Sequence, residues 1–422
     1  MEGGDRRRDR HLMSESHAIR QTIQRTSLYL LLFFIPISKA AIEILFWPLL
    51  IGWALERWSS GWTRSIWGHA ASRRCFLAVV GYVGICGISI LISTHPSLSL
   101  RGFIGKTLQY ALFFIVAAEV ASTPVVVSRC VVVMMASAFV VGLDAVIQEL
   151  IGKDLLLGHQ MTIYHRMSGP YENPSDLATY LMVMIPIVLM WLSRPERKTP
   201  WAGWLLMFLL AGCLLRTASV TGWLGLFCGA LLLLASSRWT RTSVIVGGIA
   251  FLVVGCLWLQ KMGRLEGAVM LSNAGTRDRL VIWQAGWRMV QARPILGHGV
   301  NTFMANYLDY WVGGEQQPRY AHNCYLQAAA ETGFLGLTAF LYLWGSAARL
   351  WWRAVKRVGQ SHATRALLLG LGAGLLGFLA QAAFDTNFYA LRHATLFWTL
   401  AGIATGLAVH TLTSTERAGQ AV

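Results

Sequence analysis

The chain is 422 residues long, 55% hydrophobic and only 13% charged, with a formal net charge of +16 and a mean hydropathy of +0.50. Soluble globular domains carry about 25% charged residues, so half that share over this length excludes a water-soluble enzyme, and the many apolar runs exclude a protein with one anchor. The charge does not point to nucleic acid, because the basic residues are scattered through loops between apolar runs and are not gathered in one domain.

The first 25 residues form a basic, polar arm (Arg6, Arg7, Arg8, Arg10, Arg20, Arg25). No signal peptide is expected here, and a cytoplasmic N-terminus is. A helix needs about 20 apolar residues to cross a bilayer, and on that measure the first two spans are a tight pair, about 20–37 and 40–56, turning near Pro36 to Lys39. Next come about 75–93, 104–121, 125–148 and 174–192, then a second tight pair at about 202–216 and 220–236, and a ninth span at about 243–260. A long amphiphilic segment, 261–331, precedes three more spans at about 332–352, 364–384 and 393–411.

The expected architecture is therefore an all-α polytopic membrane protein of about twelve transmembrane helices. Its parts are a basic arm (1–19), spans one to nine (20–260), the long segment (261–331), spans ten to twelve (332–411) and a tail (412–422). Both ends fall on one side. Loop charges make that side cytoplasmic, through Arg57, Arg64, Arg73, Arg74, Arg194, Arg197, Lys198, Arg238, Arg241, Arg353, Lys356 and Arg357. The opposite loops are short and poor in Lys and Arg except for 149–173 and the long segment, which carries Lys261, Arg264, Arg277, Arg279, Arg288, Arg293 and Arg319. Long loops translocate regardless of charge, and a basic segment on the outer side suggests an anionic ligand there. No internal repeat or low-complexity tract is present.

The long segment has its own order. In "DRLVIWQAGWRMVQAR", Leu280, Trp283, Trp287 and Val290 recur at helical spacing, and Pro294 closes the helix. An amphipathic helix lying at the membrane interface is expected. The glycine turn "ILGHGVNTF" follows, and "AHNCYLQAAAETGF" opens another helix with Asn323 as its N-cap.

Few residues could carry chemistry. His322 stands at that helix start, where a polar cap and a general base are both open; the field of a helix N-terminus keeps an imidazole neutral and favours phosphate oxygens. Arg216 lies in "GCLLRTASVTGWLG" between two apolar spans. There an ionisable group faces a cavity or a partner, or else snorkels to the boundary. Arg279 shares a helical face with Trp283, and Arg288 follows on the same helix. Arg166 precedes "MSGPYENPSDLATYL", where Ser175 or Asp176 can cap the sixth span. No acidic pair on an outer loop is available for Mg²⁺ or Mn²⁺, and the signatures of zinc peptidases, P-loops and nucleophile elbows are missing. Six of the seven cysteines lie in or beside apolar spans, with no metal or disulfide spacing. Arginines plus one histidine suit an anionic leaving group that needs no metal and a hydroxyl that needs a base.

Taken together, "RMSGPYENPSDLATYL", the Arg216 turn, "RLVIWQAGWRMVQARPILGHGVNTF" and "AHNCYLQAAAETGFLG", in that order before three closing spans, resemble the O-antigen ligase/polymerase superfamily. Members often read Ser-Arg-Gly where this chain reads Leu-Arg-Thr-Ala-Ser. The resemblance implies a GT-C-like helical membrane enzyme of the bacterial inner membrane, with a periplasmic active site and no cofactor. It implies an undecaprenyl-diphosphate-linked glycan as donor, lipid A–core as acceptor, His322 as base, and Arg216, Arg279, Arg288 and Arg166 as diphosphate-binding residues, with Asn323 in support. Within the superfamily a lipopolysaccharide ligase is favoured over an O-antigen polymerase or a protein O-oligosaccharide ligase. A polysaccharide or lipid transporter is the alternative from another class, and it would show inverted repeats and charges along the membrane middle.

Overall fold

The computed structural model describes residues 2–61, 65–161, 165–194, 201–234, 238–261, 274–313, 317–359 and 363–420. Arg64, Arg197, Lys198 and Arg264 lie outside these. The long helices are α1 (Glu2–Phe34), α2 (Lys39–Ser60), α3 (Ala70–Leu91), α4 (Pro96–Val120), α5 (Pro124–Ile151), α6 (Pro174–Leu192), α7 (Trp201–Arg216), α8 (Val220–Leu233), α9 (Arg238–Lys261), α10 (Ala274–Ala292), α11 (Cys324–Arg357), α12 (Ala363–Gln381) and α13 (Leu391–Gln420). A helix thus covers every stretch expected as a span. Among the described residues seven are long and apolar enough to cross a membrane, and α7 and α8 are apolar but shorter.

Local sequence sets where these helices begin. Ser38 caps α2 by accepting from the Ala41 N–H, and Thr123 followed by Pro124 opens α5, the arrangement that satisfies first-turn donors and uses a residue lacking one. The cap of α6 corrects the expectation of Ser175 or Asp176. Asn173 takes that place, accepting from the Ser175 N–H, because Pro174 occupies the first helical position. Asp176 is left in the first turn, free to pair elsewhere.

The core is built from small residues. α13 packs along α4, and α12 sits between α6 and α8. A Cβ on Gly406 would stand 2.0 Å from the Ala118 carbonyl, and one on Gly377 would stand 2.6 Å from that of Gly225. Close backbone approach of this kind drives helix association where lipid removes the hydrophobic incentive. At the other extreme α9 is 6% buried over its apolar window, against 94% for α13. Exposed Val246, Ile249 and Val253 on α9 suit lipid, not water.

α10 differs from expectation. Its inward face is Ile282, Ala285, Met289 and Val290, packed with Phe303, Tyr307 and Ala321 into a small core of its own. Leu280 and Trp287 are exposed on the far side. The helix is therefore apolar on two faces, one for this core and one for its surroundings.

α11 is broken at Gly333 (φ 67°, ψ −175°). The break lets the 294–299 turn pair with it: His298 and Gly299 N–H donate to the carbonyls of Ala330 and Glu331, and Phe334 N–H donates to Pro294. A Cβ on Gly333 would stand 2.1 Å from the Ile295 carbonyl, and the positive φ is strained for any other residue. Gly333→Ala is expected to destabilise the protein by about 1–3 kcal/mol, read as a lower midpoint of thermal unfolding in detergent.

Candidate functional site

Asn323 accepts from the Tyr325 and Leu326 N–H groups at 3.1 and 3.0 Å, so it is the N-cap of α11. His322, one residue earlier, adopts φ 47°, a left-handed conformation uncommon for a non-glycine residue and recurrent at functional sites. Its neighbour Ala321 is held from α10, where Trp283 Nε1 donates to the Ala321 carbonyl at 2.9 Å. Trp283 also lies 6.3 Å, centroid to centroid, from Phe384 of the α12–α13 loop.

That loop supplies a residue the sequence reading does not name. Asp385 Oδ1 lies 4.0 Å from His322 Nδ1 and accepts from the Thr386 N–H at 2.8 Å. Its backbone is stitched to α11: Cys324 N–H donates to the Ala382 carbonyl at 2.8 Å, and Cys324 Sγ donates to the Asp385 carbonyl at 3.1 Å. Burial pushes the Asp385 carboxyl up, but His322, the Thr386 N–H and the positive charge of Arg279 outweigh it and hold it below its ordinary value. One signal for Asp385 is present in the sequence. It is the lone acid of a short loop which, by the span count, returns to the face that carries His322.

Arg279 is thus near enough to Asp385 for its charge to act on the carboxyl. Arg288 is not. It lies nine residues further along α10, which is about half a turn round the helix, and it is exposed.

Arg166 and Arg216 meet at a second place. Arg166 Nε donates to the Thr217 carbonyl at 2.7 Å, and the Met167 N–H donates to that of Arg216. Arg216 is ion-paired with Glu149 through Nη2 and, at 3.2 Å, through Nε. Its guanidinium also stacks 4.3 Å from the Trp258 ring centroid. A partner had been one expected outcome for an arginine at this depth, and Glu149 of α5 is that partner. The adjacent Gln148 fixes the Arg166 loop, its Oε1 accepting from the Ser168 and Gly169 N–H groups at 2.9 Å each.

The two places are joined through the start of α13. His393 Nδ1 lies 3.7 Å from Asp176 and its ring stacks on Tyr171 at 5.4 Å. Arg392 donates to the Pro170 carbonyl at 2.7 Å. The 166–176 loop therefore leans on the residues that follow Asp385. Among the described residues no group of three or more His, Cys, Asp or Glu could hold a metal ion. Chemically, the arrangement offers an imidazole backed by a carboxylate within reach of the Arg279 charge, and a separate pair of arginines at 166 and 216 linked to it through the start of α13.

Fold and site define a polytopic helical membrane protein with a polar centre assembled from loops at one end of its bundle. Residues 205–341, about a third of the chain, match the family model described as "O-Antigen ligase". The match supports the O-antigen ligase/polymerase superfamily and encloses Arg216, α10, His322 and Asn323. No curated protein matches the chain. Among solved structures, a chain from one reported as "Structural coordination of polymerization and crosslinking by a peptidoglycan synthase complex" is similar at 16% identity and a TM-score of 0.44, over 80% of this chain and 96% of that one.

Two outcomes follow from this geometry. Asn323→Ala should lower stability by about 1 kcal/mol, with Asn323→Asp retaining most of it, as measured by thermal unfolding. The Asp385 carboxyl is depressed in the folded state, so its stabilising contribution is complete above the ordinary value of 3.8 and is lost as pH falls below that through the folded value. Asp385→Asn should remove this acid-side loss from a plot of thermal midpoint against pH.

Proposed function

We propose that this chain is an inverting, metal-independent glycosyltransferase. It transfers O-antigen polysaccharide from undecaprenyl diphosphate to a sugar hydroxyl of lipid A–core, with twelve membrane crossings, both termini cytoplasmic and the active site at the periplasmic face of the inner membrane. The observation that carries this reading is the apposition of His322, Asp385 and Arg279 next to a segment that matches the "O-Antigen ligase" family model.

His322 takes the proton of the acceptor hydroxyl through Nε2. Nδ1 faces Asp385, which orients the ring and stabilises the imidazolium that forms, the role a carboxylate plays behind a histidine base. The freed oxygen attacks the anomeric carbon of the donor as the carbon–oxygen bond to the diphosphate breaks on the opposite face, which inverts that centre. The separation of 4.0 Å exceeds a hydrogen bond, and such contacts tighten when substrate is bound. Diphosphate leaves with its electron pair and needs no general acid once its charge is held. Arg279 is best placed to hold it. Arg216 and Arg166 supply a second basic cluster for the diphosphate, where Glu149 keeps the Arg216 fork in one orientation. A planar guanidinium forks onto two phosphate oxygens in a fixed geometry, whereas the Lys ammonium acts as a point charge without that fork.

Purified protein given lipid-diphosphate glycan and lipid A–core tests this directly. His322→Ala should lower transfer by at least about 10²-fold, and Asp385→Asn by roughly 10²-fold, with expression intact. Near-normal transfer by His322→Ala would remove it from the mechanism. Arg279→Ala and Arg216→Ala should each weaken donor use strongly, and full rescue by Lys would reduce either arginine to a point charge. Activity should survive EDTA; loss restored by Mg²⁺ would sink the metal-free reaction. In cells, a lost ligase leaves long polymer on the carrier lipid, whereas a lost polymerase leaves single repeats on lipid A–core.

A further inference from the structure

Beside the His322 segment lies a cavity of about 60 Å³, the room of about two water molecules. Lys106 and Tyr110 of α4 line it together with Asn301, Tyr389 and Trp398. Cys324, two residues past His322, is also in its wall, and the Tyr389 ring lies 5.8 Å from that of Tyr320, two residues before His322.

Several independent features converge on this small space. Lys106 sits in a π-helical turn, Phe103–Leu108, inserted in α4; such turns recur at functional sites because they redirect side chains. Lys106 Nζ donates to Asn301 Oδ1 at 2.8 Å, one of the three bonds an ammonium can make. Asn301 itself adopts φ 62° and packs so closely on Gly102 that a Cβ there would stand 2.2 Å from the Asn301 Cβ. A strained asparagine admitted by a glycine thus aims an amide at the lysine. Tyr110 is 4% exposed, and its hydroxyl has no hydrogen-bond partner. A buried hydroxyl left unpaired is a cost to the fold that phenylalanine would avoid. Its presence is explained if a ligand oxygen completes the bond.

Charge and shape indicate which ligand. The Glu331 carboxylate lines the same cavity and balances Lys106, which favours an uncharged group over an anion. The lining combines these donors and acceptors with the Tyr82 and Trp398 rings, which stack 6.3 Å apart, a mixture suited to carbohydrate. The volume admits a hydroxyl or hydroxymethyl group. Resting on the transferase reading above, we propose that this cavity is an acceptor subsite: a neutral hydroxyl or hydroxymethyl of the acceptor glycan binds between Lys106 and Tyr110, and thereby selects which neighbouring hydroxyl meets His322.

The full-length protein tests this with lipid A–core as probe. Tyr110→Phe should keep or raise the thermal midpoint, since it removes an unpaired hydroxyl, and should raise the acceptor KM by about fivefold. Lys106→Met should raise it by about tenfold. Donor KM should stay unchanged in both. An unchanged acceptor KM in both variants would make the cavity a water site and overturn the subsite. So would a rise in donor KM instead, or a fall in the Tyr110→Phe midpoint matched by equal losses in both substrates. Equilibrium binding of lipid A–core with donor absent separates this from the reaction assignment. Weaker binding by Lys106→Met, with no transfer by the unmodified chain, keeps the subsite and removes the ligase reaction. Transfer by the unmodified chain with unaltered binding by both variants removes the subsite alone.

Discussion

A single buried carboxylate holds the polar end of this bundle together. Glu331 accepts from the Asn301 and Phe303 N–H groups, from Gln327 Nε2 and from the Tyr389 hydroxyl, at 2.8 to 3.3 Å. Those donors come from the 297–303 turn, from α11 and from the α12–α13 loop. A carboxylate with four donors is satisfied where an isolated one could not stay buried. Remove it, and three segments lose their common anchor. Gly333, two residues on, supplies the complementary constraint, because the helix break frees the carbonyls to which the same turn is tied.

This anchor fixes the loops that carry the candidate site. Catalytic groups on mobile loops are imprecise. Here His322 is pinned on both sides, by Trp283 through the Ala321 carbonyl and by the Asn323 cap, while Asp385 reaches it from a loop sewn to the first residue of α11. α10, seated on its own small core, holds Arg279 within reach of Asp385 by charge. The arginines at 166 and 216 are held by a different device, the neighbouring Gln148 and Glu149 of α5. One residue orders the backbone of the loop and the next orders the guanidinium.

Much of the helical framework is legible in the sequence because a bilayer leaves the backbone few alternatives. Apolar runs and helices coincide along the chain, although the first helix starts well before its apolar run, at Glu2, and the helix from Cys324 starts before its run too. The Asn323 cap is legible for a related reason, since a cap is decided within one turn. The α6 cap needs one more rule: Pro174 takes the first helical position, which hands the cap to Asn173. What stays hidden is pairing across the fold. Nothing local says that Glu149 meets Arg216, that Asp385 meets His322, or that Lys106 meets Asn301, because each contact depends on which helices become neighbours. Arg279 and Arg288 look alike in composition, and only the angle between them round α10, fixed once its inward face is known, tells them apart.

The stitching of Cys324 to Ala382 and Asp385 also has a bearing on how the protein is made. His322 is synthesised some sixty residues before its carboxylate partner, and the 166–176 loop meets Arg392 and His393 only at the start of the last helix. A nascent chain therefore carries His322 without Asp385 beside it until the α12–α13 hairpin has been made. On the proposed mechanism, a product that stalls before that hairpin would carry the histidine without the carboxylate that orients it.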